Sequence, residues 1–172
     1  MHIVEETIDV AVPVSIAYNQ WTQFKSFPRF MSAVKAVEQI RPNLTHWVIG
    51  YGPVRHEFDA EVVEQVPDTL VVWRTLGRRA GHHGEVSFRA TAPDRTALGV
   101  RIGVAPRGAT GLLTRAPELP RRVIRAELGH FKQFIEGLGQ EGGAWRGVIR
   151  NGHVQPQEPE PPRSRVPHWP VG

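Results

Sequence analysis

The run RRVIRAELGHFKQFIEGL, residues 121–138, decides the fold. On a helical wheel of about 100° per residue, Ile124, Leu128, Phe134, Ile135 and Leu138 fall within roughly 60° of Phe131, and Val123 lies just outside. Arg122, Arg125, Gly129, Lys132, Gln133 and Glu136 take the other side. The spacing predicts one long amphipathic helix from Pro117 or Glu118 to Leu138. Its stripe needs a large apolar surface to lie on.

Upstream sequence supplies that surface as strands. Ile8, Val10 and Val12 alternate with Thr7, Asp9 and Ala11, the period of a first strand. Pro13 then opens a helix, with Val14, Ala17, Tyr18 and Trp21 on one face. Phe24, Phe27, Phe30 and Met31 around Pro28 predict a second short helix. Strand-like runs follow at 33–41, Thr45–Tyr51, Val54–Glu64, Leu70–Leu76, Glu85–Thr91 and Ala97–Ala105. Turn residues separate them, so consecutive strands pair as hairpins in an antiparallel meander. Phe58, Ala60 and Val62 alternate with Glu57, Asp59 and Glu61, giving the sheet one buried and one wet face. His82-His83, between Gly81 and Gly84, read as a solvated turn, and 105–116 as a mobile loop.

The chain has 172 residues, 40% apolar and 22% charged, within the range of a single globular domain. No apolar run approaches the roughly 18 residues of a membrane span. The start, Met1 to Glu6, lacks the basic and apolar regions of a signal peptide, so the expected location is cytoplasmic. Zero cysteines exclude disulfides, thiolate nucleophiles and cysteine metal sites. The pI of about 10.1 accompanies a net charge of only +4. The basic residues are mostly arginines without a continuous stripe, which argues against a nucleic-acid partner. Six of the 15 prolines lie in the last 17 residues. The sequence therefore divides into a body over 1–140, a Trp145-bearing segment over 141–152 that docks on it, and a Pro-rich disordered tail over 153–172.

The order of motifs resembles the START-like (SRPBCC) helix-grip superfamily, and within it the polyketide cyclase/dehydrase family. The resemblance rests on Ile8 to Pro13 leading into Ala17-Tyr18-Asn19-Gln20-Trp21, and on Phe24 to Met31. It continues through Phe58-Asp59-Ala60-Glu61, Glu64 to Asp68 and Val72-Trp73-Arg74, and ends with Leu128 to Glu136 and Gly143 to Gly147. It implies an α+β fold: a curved seven-stranded antiparallel sheet around the long C-terminal helix, with two short helices after the first strand. It also implies an apolar cavity that takes a lipid, polyketide or quinone-like molecule. From the residues themselves, no metal and no cofactor are expected. Three functions stay open: binding of a planar or lipid-like ligand, a polyketide aromatase/cyclase or dehydrase, and a protein-interaction or quinone-chaperone module.

The cavity residues expected from strand and helix parity are Trp47, Ile49, Tyr51, Phe58, Ala60, Val62, Trp73, Val86, Phe88, Val100, Phe131 and Phe134, with Phe27, Phe30 and Met31 at the rim. Glu127 lies only about 40° from Phe131 on the wheel, inside the apolar stripe, where a carboxylate must find a partner or a proton. A salt bridge to Arg74 or Arg101 is one outcome, and a ligand-orienting or acid/base role the other. His56 shares the parity of Phe58. With Tyr51, Arg74 and Glu127 it completes the set able to act on an enolate in a cyclisation. No phosphate-loop, dinucleotide or G-x-S-x-G motif is present.

Overall fold

The computed structural model describes residues 2–77, 81–104 and 118–156. Strand β1 (His2–Val10) leads through Pro13 into helix α1 (Val14–Trp21) and a 3-10 helix (Phe24–Arg29). Pro13 sits at the N-cap, where its carbonyl receives Ile16 N–H and Ala17 N–H, each at 3.1 Å. The meander then runs β2 (Val34–Arg41), β3 (Leu44–Tyr51), β4 (Val54–Val66), β5 (Leu70–Leu76), β6 (His82–Ala92) and β7 (Arg95–Val104). Helix α2 (Glu118–Leu138) follows, then β8 (Ile149–Arg150) and β9 (His153–Val154).

The sheet is antiparallel throughout, in the order β1-β7-β6-β5-β4-β3-β2, with β8 on the far half of β4 and β9 on β8. The first strand therefore closes against the last of the meander, and α2 lies across the concave face beside β1. Seven strands match the expectation, and the β8–β9 hairpin adds two. Its turn is Asn151-Gly152, with φ of 51° and 75°, a backbone that Asn and Gly adopt at little cost. His153 and Val154 are thus paired strand, so the expected disordered tail does not begin at residue 153. The expected loop at 105–116 and the tail from 157 onward lie outside the described residues.

Two halves of the interior differ. In one, α1 packs on β6 and β7 and fills the space. Tyr18 meets Phe88 edge to face at 5.3 Å, and Trp21 meets Phe131 at 5.2 Å. Tyr18, Phe131, Ile135, Leu98 and Val86 are fully buried there. Each contributes about 1.5–3 kcal/mol of apolar burial. The polar residues of α1 are buried for a different reason: they hold the returning C-terminal segment. Gln20 Oε1 accepts Gly142 N–H at 2.6 Å, and Thr22 Oγ1 accepts Trp145 N–H at 3.0 Å. Arg146 donates to Asn19 Oδ1 at 2.6 Å and grips both oxygens of Asp68 at 3.0 and 2.9 Å. In the other half, toward the β3–β4 and β5–β6 turns, the sheet and α2 stand apart.

Candidate functional site

The space left between them is a cavity of about 340 Å³, near the low end of the usual range for small-molecule sites, roughly 300–1,000 Å³. Cross-strand register builds its walls. Trp47 faces Phe58, Ile49 faces His56, and Val62 faces Trp73, so alternate residues of β3, β4 and β5 share the concave side. Val100 and Ile102 of β7 and Val4 of β1 continue the wall. Phe24, Phe27 and Met31 close it from the 3-10 helix region, and Val123, Ile124 and Leu128 close it from α2. The rings of Trp47 and Phe58 lie within 5° of parallel, centroids 6.3 Å apart, in a stacked arrangement.

Most expected residues line this space: Trp47, Ile49, Phe58, Ala60, Val62, Trp73, Val100, Glu127, His56, Phe27 and Met31. Several do not. Phe88, Val86 and Phe131 are buried in the half that α1 fills, where Tyr18 and Trp21 meet Phe88 and Trp21 meets Phe131. Phe134 stacks on Phe30 at 4.5 Å, away from the cavity, with the Arg29 guanidinium over its ring. Arg74 is on the outer face, paired with Glu61 at 3.2 Å, because the alternation that turns Trp73 in turns Arg74 out. Arg101 pairs with Glu5 at 3.2 Å on that same outer face. The backbone of Tyr51 ends β3, and its side chain lies outside the description.

Glu127 is 9% exposed and has neither expected arginine. Its Oε1 accepts the Ser32 hydroxyl at 3.0 Å, and His130 Nδ1 stands 3.3 Å from the same oxygen. Its Oε2 is buried and has no hydrogen-bond partner among the described residues. On the sheet wall, polar side chains bond to one another in two places, at Trp47 and at Trp73. Trp47 Nε1–H donates to Thr45 Oγ1 at 2.6 Å.

His82 corrects the solvated-turn reading. It opens β6, its backbone N–H donates to Thr75 Oγ1 at 3.1 Å, and its ring lines the cavity edge-on to Phe58 at 4.8 Å. Trp73 Nε1–H donates to its Nδ1 over 3.5 Å, which leaves the ring proton on Nε2. Burial, reinforced by the neighbouring His56 and His83, lowers its pKa to about 4, so the ring is neutral at pH 7. Parity from Val86 back through Gly84 pointed to His82. Gly84 hid the signal because it carries no apolar side chain. Trp73 occupies that gap: a Cβ on Gly84 would meet its indole at 2.3 Å.

Among the described residues, no three His, Asp or Glu side chains converge as a metal site, and no helix is long and apolar enough to cross a membrane. The chemistry on offer is a deep apolar surface, one carboxylate oxygen awaiting a donor on the helix wall, and a neutral imidazole on the sheet wall.

Comparison with known proteins agrees with this architecture. A 17.2 kDa uncharacterized protein of Streptomyces lincolnensis is 44% identical over 149 residues, 87% of this chain and 99% of that protein. A START superfamily protein from Mycobacterium smegmatis superposes with a TM-score of 0.63 at 16% identity, covering 80% of this chain and 97% of that one. The Zhui aromatase/cyclase from a Streptomyces species superposes with a TM-score of 0.58 at 15% identity, covering 81% and 98%. At such identities the two structures speak for the fold alone. The family model described as polyketide cyclase / dehydrase and lipid transport matches residues 10–132, from the end of β1 into the middle of α2. The chain belongs to that family.

Proposed function

We propose that this protein binds a hydrophobic, planar or lipid-like small molecule in the cavity between sheet and helix. The observation that carries this reading is the cavity itself: about 340 Å³ walled by Trp47, Phe58, Trp73 and aliphatic side chains. A void of this size in a packed interior forfeits dispersion contacts on every side, and an apolar ligand restores them. Binding is by burial and positioning.

Titration with the fluorescent apolar probe N-phenyl-1-naphthylamine tests it. The wild type is expected to bind with a blue-shifted, enhanced emission. Ala60→Phe, which places a ring in the void, should weaken binding at least about tenfold while keeping the native fold, since the space already exists. Unchanged probe binding in Ala60→Phe would show that the probe sits elsewhere. Native mass spectrometry of protein purified from its own host should then reveal a co-purifying apolar molecule.

A second reading, a polyketide cyclase or dehydrase, is favoured by the family match and by two proton-exchanging groups, Glu127 and His82, on facing walls. It predicts turnover of a poly-β-keto thioester to a cyclised product, lost in Glu127→Gln. A bound but unconverted thioester leaves the binding function alone.

A further inference from the structure

We propose that Glu127 sets the specificity of the cavity, selecting a neutral ligand that carries a hydroxyl group and rejecting anionic amphiphiles. The inference rests on the binding function proposed above and names what that ligand must present. Oε1 of Glu127 is occupied by the Ser32 hydroxyl, whereas Oε2 is buried without a donor among the described residues. Among the described residues, His130 Nδ1 lies 3.3 Å from the other oxygen, Oε1, and four arginines are engaged elsewhere. Arg74 and Arg101 pair with Glu61 and Glu5 on the outer face of the sheet, and Arg121 and Arg125 of α2 pair with Glu6. Val123, Ile124 and Leu128 line the cavity beside Glu127 on α2. A buried carboxylate oxygen in such surroundings is a site for a donor that arrives with the ligand.

The kind of donor follows from what is missing. A single acceptor satisfies one O–H. An ammonium would bring three N–H groups and leave two against apolar walls. A fatty-acid carboxylate or a phosphate headgroup would set like charge against Glu127. The aromatic wall of Trp47, Phe58 and Trp73 suits an aromatic body behind the hydroxyl.

Isothermal titration with 2-naphthol, 2-methoxynaphthalene and 2-naphthoate tests this, on the wild type and on Glu127→Gln. 2-Naphthol should bind the wild type at least about tenfold more tightly than its methyl ether, because the ether leaves Oε2 unpaired, and naphthoate should bind most weakly. In Glu127→Gln the Ser32 hydroxyl still finds a carbonyl oxygen, but the side chain now offers an N–H to the cavity. The preference for naphthol over the ether should collapse to within about twofold or invert. Equal binding of naphthol and ether to the wild type, naphthoate matching naphthol, or a preference that survives Glu127→Gln overturns the assignment and leaves the apolar cavity standing. Absence of binding by all three compounds removes the cavity function and the assignment with it. If Glu127→Gln does not fold, the ranking of the three ligands on the wild type decides by itself.

Discussion

Acidification probes the buried state of His82. Its ring has a pKa lowered to about 4 in the folded protein against 6.5 as the ordinary value. Above pH 6.5 the ring is neutral in both folded and unfolded chains, and it contributes no pH dependence. Between 6.5 and 4 the unfolded chain takes a proton that the folded one refuses, so stability falls as the pH drops. Below 4 both states are protonated and the loss levels off. Each unit of difference corresponds to about 1.4 kcal/mol, so the full span amounts to about 3 kcal/mol, an upper bound because the ring is half-buried by exposure. Urea unfolding at a series of pH values, on wild type and on His82→Leu, isolates this from other titrating groups. The wild type should lose up to about 3 kcal/mol more than the variant on going from about pH 7 to pH 4. NMR of the ring protons gives a second measure. His82 should titrate well below the ordinary value, whereas His46, held by its hydrogen bond to Asp59 at 2.7 Å, should titrate above it. Parallel pH curves for the two proteins, or a His82 midpoint near 6.5, would refute the reasoning and place the ring in water.

Further outcomes follow from the two halves of the interior. Phe131→Ala should cost about 3–5 kcal/mol, because the ring is fully buried against Trp21, while Ile124→Ala, whose side chain already borders empty space, should cost about half as much or less. Comparing their urea midpoints checks the division. Arg146→Ala should destabilise by about 1–2 kcal/mol, losing the bidentate bond to Asp68, the bond to Asn19 and the guanidinium face on Tyr18. Hydrogen exchange should then show faster exchange at β8 than in the wild type. Gly84→Ala should cost about 1–3 kcal/mol and shift the tryptophan emission, because its new Cβ displaces the Trp73 indole. An unaltered spectrum and stability would show that the indole has room to move.

Much of this architecture is legible along the chain because side-chain direction follows period. The alternation in β3, β4 and β7 places Trp47, Phe58, Ala60 and Val100 on the concave face, and the wheel of α2 puts Glu127 in the apolar stripe. The errors have specific causes. Arg74 follows Trp73 directly, and strict alternation excludes both from one face. Gly84 interrupts the apolar alternation that leads from Val86 to His82. Asn151-Gly152 is a strong turn signal for the β8–β9 hairpin, but the prolines just beyond it give the stretch the composition of a tail.

Periodicity by itself determined the grip of a meander around one long helix, and which side chains face inward. Only the tertiary structure decided which of those inward residues meet a neighbour and which meet a void. Phe131 and Ile124 lie on the same stripe of α2, yet one is packed under Trp21 and the other borders the cavity. The distinction depends on where α1 crosses the sheet. A sequence period specifies the direction of a side chain, whereas filling depends on the distance to the element opposite, which is set by packing between parts of the chain far apart in sequence. The same packing leaves one oxygen of Glu127 without a donor among the described residues.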